Sequence, residues 1–190
     1  MVRFEHSLFG ALLITACSPA PLPSGAEISG QLELPGPWPD AVSFIPIEIL
    51  PQARTPVAAD GTFRLPLPAA MPPDGTIYGD PTCEGMVLQR NPQAAFATLP
   101  TDRLNIWRQG HPSGTVTTRK IQSGVVKTYQ YVYATAATTV HGVQTCGGSQ
   151  ETFELDYDLG WNLVEWINIG GRQFEFTSVP NQRLIWRSIH

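Results

Sequence analysis

The stretch TFELDYDLGWNLVEWI, residues Thr152 to Ile167, decides the fold class. Apolar Phe153, Leu155 and Tyr157 alternate here with Thr152, Glu154 and Asp156. Successive side chains of a strand point to opposite faces, so this pattern is a half-buried β-strand. Asp158-Leu159-Gly160 supplies turn residues, and Trp161 to Ile167 is expected to return as the second strand of a hairpin. The same period of two recurs outward from this stretch. Val125 to Ala134 puts Val126, Thr128, Gln130 and Val132 on one face and Val125, Lys127, Tyr129, Tyr131 and Tyr133 on the other. Thr138 to Thr145 is expected as its antiparallel partner, with further strands over 115–121, 173–177 and 183–186. Helical periodicity is hard to find. The expected fold is all-β, an antiparallel β-sandwich with few or no helices beyond residue 16.

The first part of the chain is also strand-like but is broken by proline. Seventeen of the 18 prolines lie before residue 113. Ala26 to Leu34 alternates, with Ile28, Leu32 and Leu34 on one face. Ala41 to Ile49 is a second strand that Pro46 confines to an edge or a bulge. Asp60-Gly61 makes a tight turn into Phe63, Leu65 and Leu67, which share a face. Through ISGQLELP, AVSFIPIEI and VAADGTFRLPLP, residues 28–68 resemble the carboxypeptidase regulatory-like, or transthyretin-like, β-sandwich modules. The resemblance implies a sandwich half that assists folding or adhesion. The expected organisation is a transthyretin-like half over about 26–80, an irregular connection over about 81–114 and an antiparallel half over about 115–190. Cys83 to Arg90 and Arg103 to Trp107 are short strand candidates within that connection. One packed unit is favoured over two independent domains.

Composition narrows the function classes. A 42% hydrophobic fraction supports a real core, and the net charge of −4 gives no reason to expect a nucleic-acid partner. Ten arginines against two lysines fit a GC-rich coding sequence better than any binding role. The three cysteines are Cys17, Cys83 and Cys146. In an exported protein Cys83 and Cys146 form an even pair suited to a disulfide, the alternative being two separate buried thiols. There is no CxxC redox motif.

The first 25 residues set the expected location. Ser7 to Ala16 is small or apolar and carries no charge, after Arg3 near the start. The run is shorter than the ~20 residues a spanning helix needs and fits the centre of a signal peptide. Ile14-Thr15-Ala16-Cys17 resembles the lipobox of bacterial lipoproteins. That resemblance implies removal of residues 1–16 and acylation of Cys17 with diacylglycerol and a further chain such as palmitate. The protein would then be anchored to a membrane without spanning it, two or more chains holding it firmly. Residues 17–25 continue as a proline-rich spacer in extended polyproline conformation. Ser18 after the cysteine points to the outer membrane or cell surface, since Asp there favours inner-membrane retention in this family.

Catalytic signatures are sparse. His6, His111, His141 and His190 show no metal-ligand spacing, and no GxSxG or phosphate loop is present. Glu154 and Asp156 share a strand face ~7 Å apart, a spacing open to glycosidase carboxylates, yet alternation makes them an ordinary solvated face. The aromatics are the better binding candidates: Trp38, Trp107, Trp161 and Trp166. Trp161 and Trp166 differ by an odd number, so without a bulge they occupy opposite faces. The expected function is a lipid-anchored, non-enzymatic envelope protein without cofactor or metal. Its expected partners are membrane lipid through Cys17 and an envelope protein or a glycan. The alternative is a carbohydrate- or peptide-binding module using exposed aromatics, and a hydrolase ranks below both.

Overall fold

The computed structural model describes residues 26–45, 54–75, 78–99 and 101–188. The acylation motif, the spacer and Pro46 lie outside the described residues. Among the described residues there are fifteen strands and no helix. The first sheet contains β1 (Glu27–Glu33), β2 (Ala41–Ser43), β3 (Arg54–Pro56), β4 (Thr62–Pro66), β7 (Arg103–Arg108), β8 (His111–Thr117) and β15 (Leu184–Ser188), in the order β3-β2-β7-β8-β15-β1-β4. The second contains β5 (Glu84–Gln89), β6 (Phe96–Leu99), β9 (Lys120–Gln122), β10 (Val125–Ala134), β11 (Thr138–Cys146), β12 (Ser149–Tyr157), β13 (Gly160–Gly170) and β14 (Gln173–Val179). Its order is β5-β11-β12-β14-β13-β10-β6, with β9 also paired to β10.

The alternation predicts the strand faces well. Ile28 and Leu32 of β1 are buried, as are Phe63 and Leu65 of β4 and Leu67 beyond it. Between Ile28 and Leu32 stands Gly30, paired across the ladder with Phe63. The Phe63 ring occupies the space a Cβ at residue 30 would need. The glycine therefore lets an aromatic ring pack flat against the neighbouring backbone. The turn into β4 is fixed by Asp60, whose carboxylate accepts from the Thr62 amide at 3.0 Å and hydroxyl at 2.6 Å.

Two apolar cores result. One lies between the sheets, where Leu32, Leu65, Leu104 and Trp186 of the first meet Leu99, Tyr131 and Leu163 of the second. The other lies against the opposite face of the second sheet and collects Phe96, Val132, Val140, Phe153, Leu155 and Val164. Both sheets curl. Phe96 on β6 and Tyr157 on β12 sit four strand steps apart, ~19 Å in a flat sheet, but their ring centroids are 5.0 Å apart. The first sheet brings its two edge strands together, with the Thr55 hydroxyl of β3 donating to the Arg64 carbonyl of β4 at 2.9 Å. The two-core, curled arrangement keeps the sandwich principle, because one face of each sheet meets the other sheet.

Four expectations need correction. Thr152–Tyr157 and Trp161–Ile167 do not pair as a hairpin: β14 lies between them, parallel to β12 and antiparallel to β13. Ser178 makes this possible at the closed end, its hydroxyl accepting from the Asp156 amide and donating to the Asp156 carbonyl, both at 2.9 Å. Second, β11 pairs with β12 and β5, while β10 pairs with β13, β6 and β9. Third, segment 81–114 is not irregular, since it holds β5, β6, β7 and the start of β8. β6 is covered on both faces and β5 is a largely exposed edge, so neither shows clean alternation. Fourth, the sheets are mixed, with β1–β15 and β12–β14 parallel. Neither sheet is built from one half of the chain: β15 returns to insert between β8 and β1.

Cys83 and Cys146 form a disulfide, with a Cα–Cα distance of 4.8 Å. It extends the β5–β11 register one step beyond the Glu84–Thr145 pair, so it pins the exposed edge strand.

Candidate functional site

The predicted tryptophans separate by environment. Trp107 is buried, donates to the Ser43 hydroxyl at 2.9 Å and lies under the Arg54 guanidinium at 3.5 Å from its ring centroid. Trp161 packs against the first core and donates to the Pro68 carbonyl at 2.6 Å. Both are thus structural. Trp38 is partly exposed and its indole approaches Gly61, away from any cavity described below. Trp166 differs from all three. The β10–β13 register runs unbroken from Ala134–Gly160 to Val126–Asn168, so Trp161 faces the first sheet and Trp166 the opposite side, as the odd spacing requires.

On that side Trp166 lines a groove of about 390 Å³ with Thr98, Asp102, Thr128, Gln130 and Phe176. The floor comes from neighbouring strands β6, β10, β13 and β14, on which Thr128 pairs with Trp166 and Trp166 with Phe176. Phe176 stacks on core residue Phe153 at 5.0 Å, and Trp166 stacks on Phe174 at 5.7 Å with planes 6° apart. The aromatic wall is therefore anchored at both ends. Thr128 shares a hydrogen bond of 3.1 Å with Thr118. Asp102 enters from the β6–β7 connection, its carbonyl accepting from the Thr117 hydroxyl at 2.7 Å and the Thr118 amide at 3.3 Å. Of these lining residues only Trp166 was singled out from sequence. The missed signal is in β10, where Thr128 and Gln130 occupy the face that continues into buried Val132. Polar residues inside a core-facing row mark a place where the core opens to solvent.

A second polar cluster lies on the outer face of β11 and β12. His141 is paired across the ladder with Glu154. Its Nδ1 is 2.9 Å from a Glu154 carboxylate oxygen and its Nε2 is 3.4 Å from one of Asp156. The two carboxylates thus converge on an imidazole on an open surface. The hydrogen bond to Glu154, and then that to Asp156, hold the imidazole above the ordinary histidine value. Stability from this cluster is accordingly present in full below the unfolded-state pKa and lost as pH rises through the folded one. Being solvated, the cluster contributes little to folding. The expected result is an NMR titration midpoint for His141 above 6.5 that falls in Glu154→Gln; a midpoint at or below 6.5 that ignores Glu154→Gln would contradict the pairing.

The larger cavity, about 550 Å³, sits at the end of β11 and β12 and is lined by Arg90, Asn91, Thr139, Asp156 and Asp158 among others. Tyr157, which also lines it, is buried and shares a 2.6 Å hydrogen bond with Tyr78, and burial pushes both phenols up. The cavity lining mixes polar and apolar groups, and Tyr157, the one aromatic among the described lining residues, is buried and presents no exposed platform. Among the described residues no group of three or more His, Cys, Asp or Glu side chains could hold a metal ion, and no helix is long and apolar enough to cross a membrane. Compared with protein-family models, curated proteins and solved structures, the chain matches none significantly.

Proposed function

We propose that this chain is an exported protein tethered to a bacterial membrane through an acylated Cys17, with a non-enzymatic binding or structural role in the cell envelope. The cysteine pairing carries the reading. Of three cysteines, Cys83 and Cys146 are joined within the fold. Cys17 is left over, at the position where Ile14-Thr15-Ala16-Cys17 resembles a lipobox. A disulfide that closes a long loop also fits an oxidising, extracytoplasmic compartment. Acyl chains on Cys17 would hold the folded part at a membrane surface, spaced from it by Ser18 to Gly25.

Growth with alkyne-tagged palmitate tests the anchor. The wild-type chain takes up the label and sediments with membranes, whereas Cys17→Ser loses the label and becomes soluble. Label retained in Cys17→Ser refutes the proposal. Within the same reading, a glycan- or peptide-binding module is favoured by one observation, the solvent-open groove that Trp166 and Phe176 wall.

A further inference from the structure

We infer that the groove over β6, β10, β13 and β14 binds a neutral saccharide, an inference that rests on the binding-module reading above. A sugar ring presents a face of C–H groups and a rim of hydroxyls. The groove matches both. Trp166 and Phe176, paired across the β13–β14 ladder and both lining the groove, offer neighbouring aromatic rings for the C–H face. The stacking of Trp166 on Phe174 and of Phe176 on Phe153 fixes those rings before any ligand arrives.

The rim is met by groups of the right kind. Gln130 lines the groove and makes no side-chain hydrogen bond to the described residues. Its amide carries two donors and an acceptor, which suits a hydroxyl pair. The Asp102 carboxylate accepts only, so it takes the hydrogen of a hydroxyl, and its main chain is held by Thr117 and Thr118. The volume, about 390 Å³, falls within the usual range for small-ligand sites.

Charge and topology argue against other occupants. Among the described residues no lysine or arginine lines the groove, and the Asp102 carboxylate disfavours an anion. The Arg103 guanidinium lies 3.7 Å from Asp102 and offsets its charge, which suits an uncharged ligand. An extended peptide gains affinity by pairing with an open strand edge. Here β10, β13 and β14 are each paired on both sides. The remaining floor strand, β6, is the sheet edge, but its Phe96 carbonyl accepts from the Asp74 amide at 3.1 Å and its Thr98 amide donates to the Asp74 carboxylate at 2.6 Å, so a ligand is read through ring faces and side-chain polar groups.

The test uses the full chain in a polyoxyethylene detergent, whose headgroup carries no sugar. Maltohexaose, cellohexaose, mannohexaose and chitohexaose are titrated separately by calorimetry, beside a pool of uncharged decapeptides. At least one hexasaccharide is expected to bind. Trp166→Ala and Gln130→Ala should each weaken it about tenfold or more, as for central anchor residues. Trp38→Ala, outside the groove, should leave binding unchanged. Gln130→Ala keeps the test valid if Trp166→Ala fails to fold, since it removes no core packing. Hexasaccharide binding that both groove variants leave unchanged overturns the assignment. Decapeptide binding that needs Trp166, with no hexasaccharide bound, overturns the saccharide class but retains a binding module. Binding of neither removes both readings, and neither result bears on the Cys17 anchor.

Discussion

Replacing Cys83 and Cys146 together by serine should lower the stability of the fold by about 4 kcal/mol. The bond joins residues 63 apart in sequence. Closing a loop of that length removes chain entropy from the unfolded state worth about 4 kcal/mol at room temperature. Small domains are only ~5–15 kcal/mol stable, so the loss is a large fraction of the total. In urea the unfolding midpoint should fall by roughly 2 M, given slopes of ~1–3 kcal/mol per M. The loss should also be uneven. β5 is an edge strand with one paired neighbour, β11, and its Met86 and Leu88 are exposed. Without the bond, β5 amides should exchange with deuterium earlier than those of β12 or β13. An unchanged urea midpoint in the double variant would rule out the bond as a stabilising link.

Trp186→Ala should cost about 3–5 kcal/mol, the usual cost of emptying a fully buried aromatic site. Trp186 has no exposed surface, packs near Phe63 at 6.0 Å between ring centroids and stands on β15, opposite Leu32 of β1. Its site joins β15 to β1, so the cavity falls inside the first sheet, between β8 and edge strand β4. Trp186→Phe should cost well under half as much. The indole Nε1 is buried without a hydrogen-bond partner among the described residues, and an orphaned buried donor costs about 1–3 kcal/mol. A phenyl ring removes that penalty while keeping most of the contact with Phe63. Urea unfolding of both variants decides the point: equal losses would mean that the unpaired indole N–H has no cost at this site.

The groove shows how little of a site alternation can encode. Trp166 is legible because parity places it opposite Trp161, and the ladder holds that parity over nine paired residues. Thr98 and Asp102 are not legible, because nothing local reveals that β6 lies beside β10 or that the β6–β7 connection bends over it. His141 fails for the same reason. Its contact with Glu154 requires the β11–β12 register, and the sequence pattern instead suggested β10 as the neighbour of β11.

Local chemistry alone determined the strands and their faces: Ile28 and Leu32 inward, Phe63 and Leu65 inward, Phe153, Leu155 and Tyr157 inward. A side-chain period of two follows from backbone geometry and needs no partner strand. Turn residues such as Asp60-Gly61 acted locally as well. Strand partners were decided only in three dimensions. β14 separates two strands joined by a two-residue link, and β15 completes a sheet begun more than 150 residues earlier. Pairing is selected by which apolar faces cover one another once the sheets curl, and that is a sum over distant residues which no local window contains.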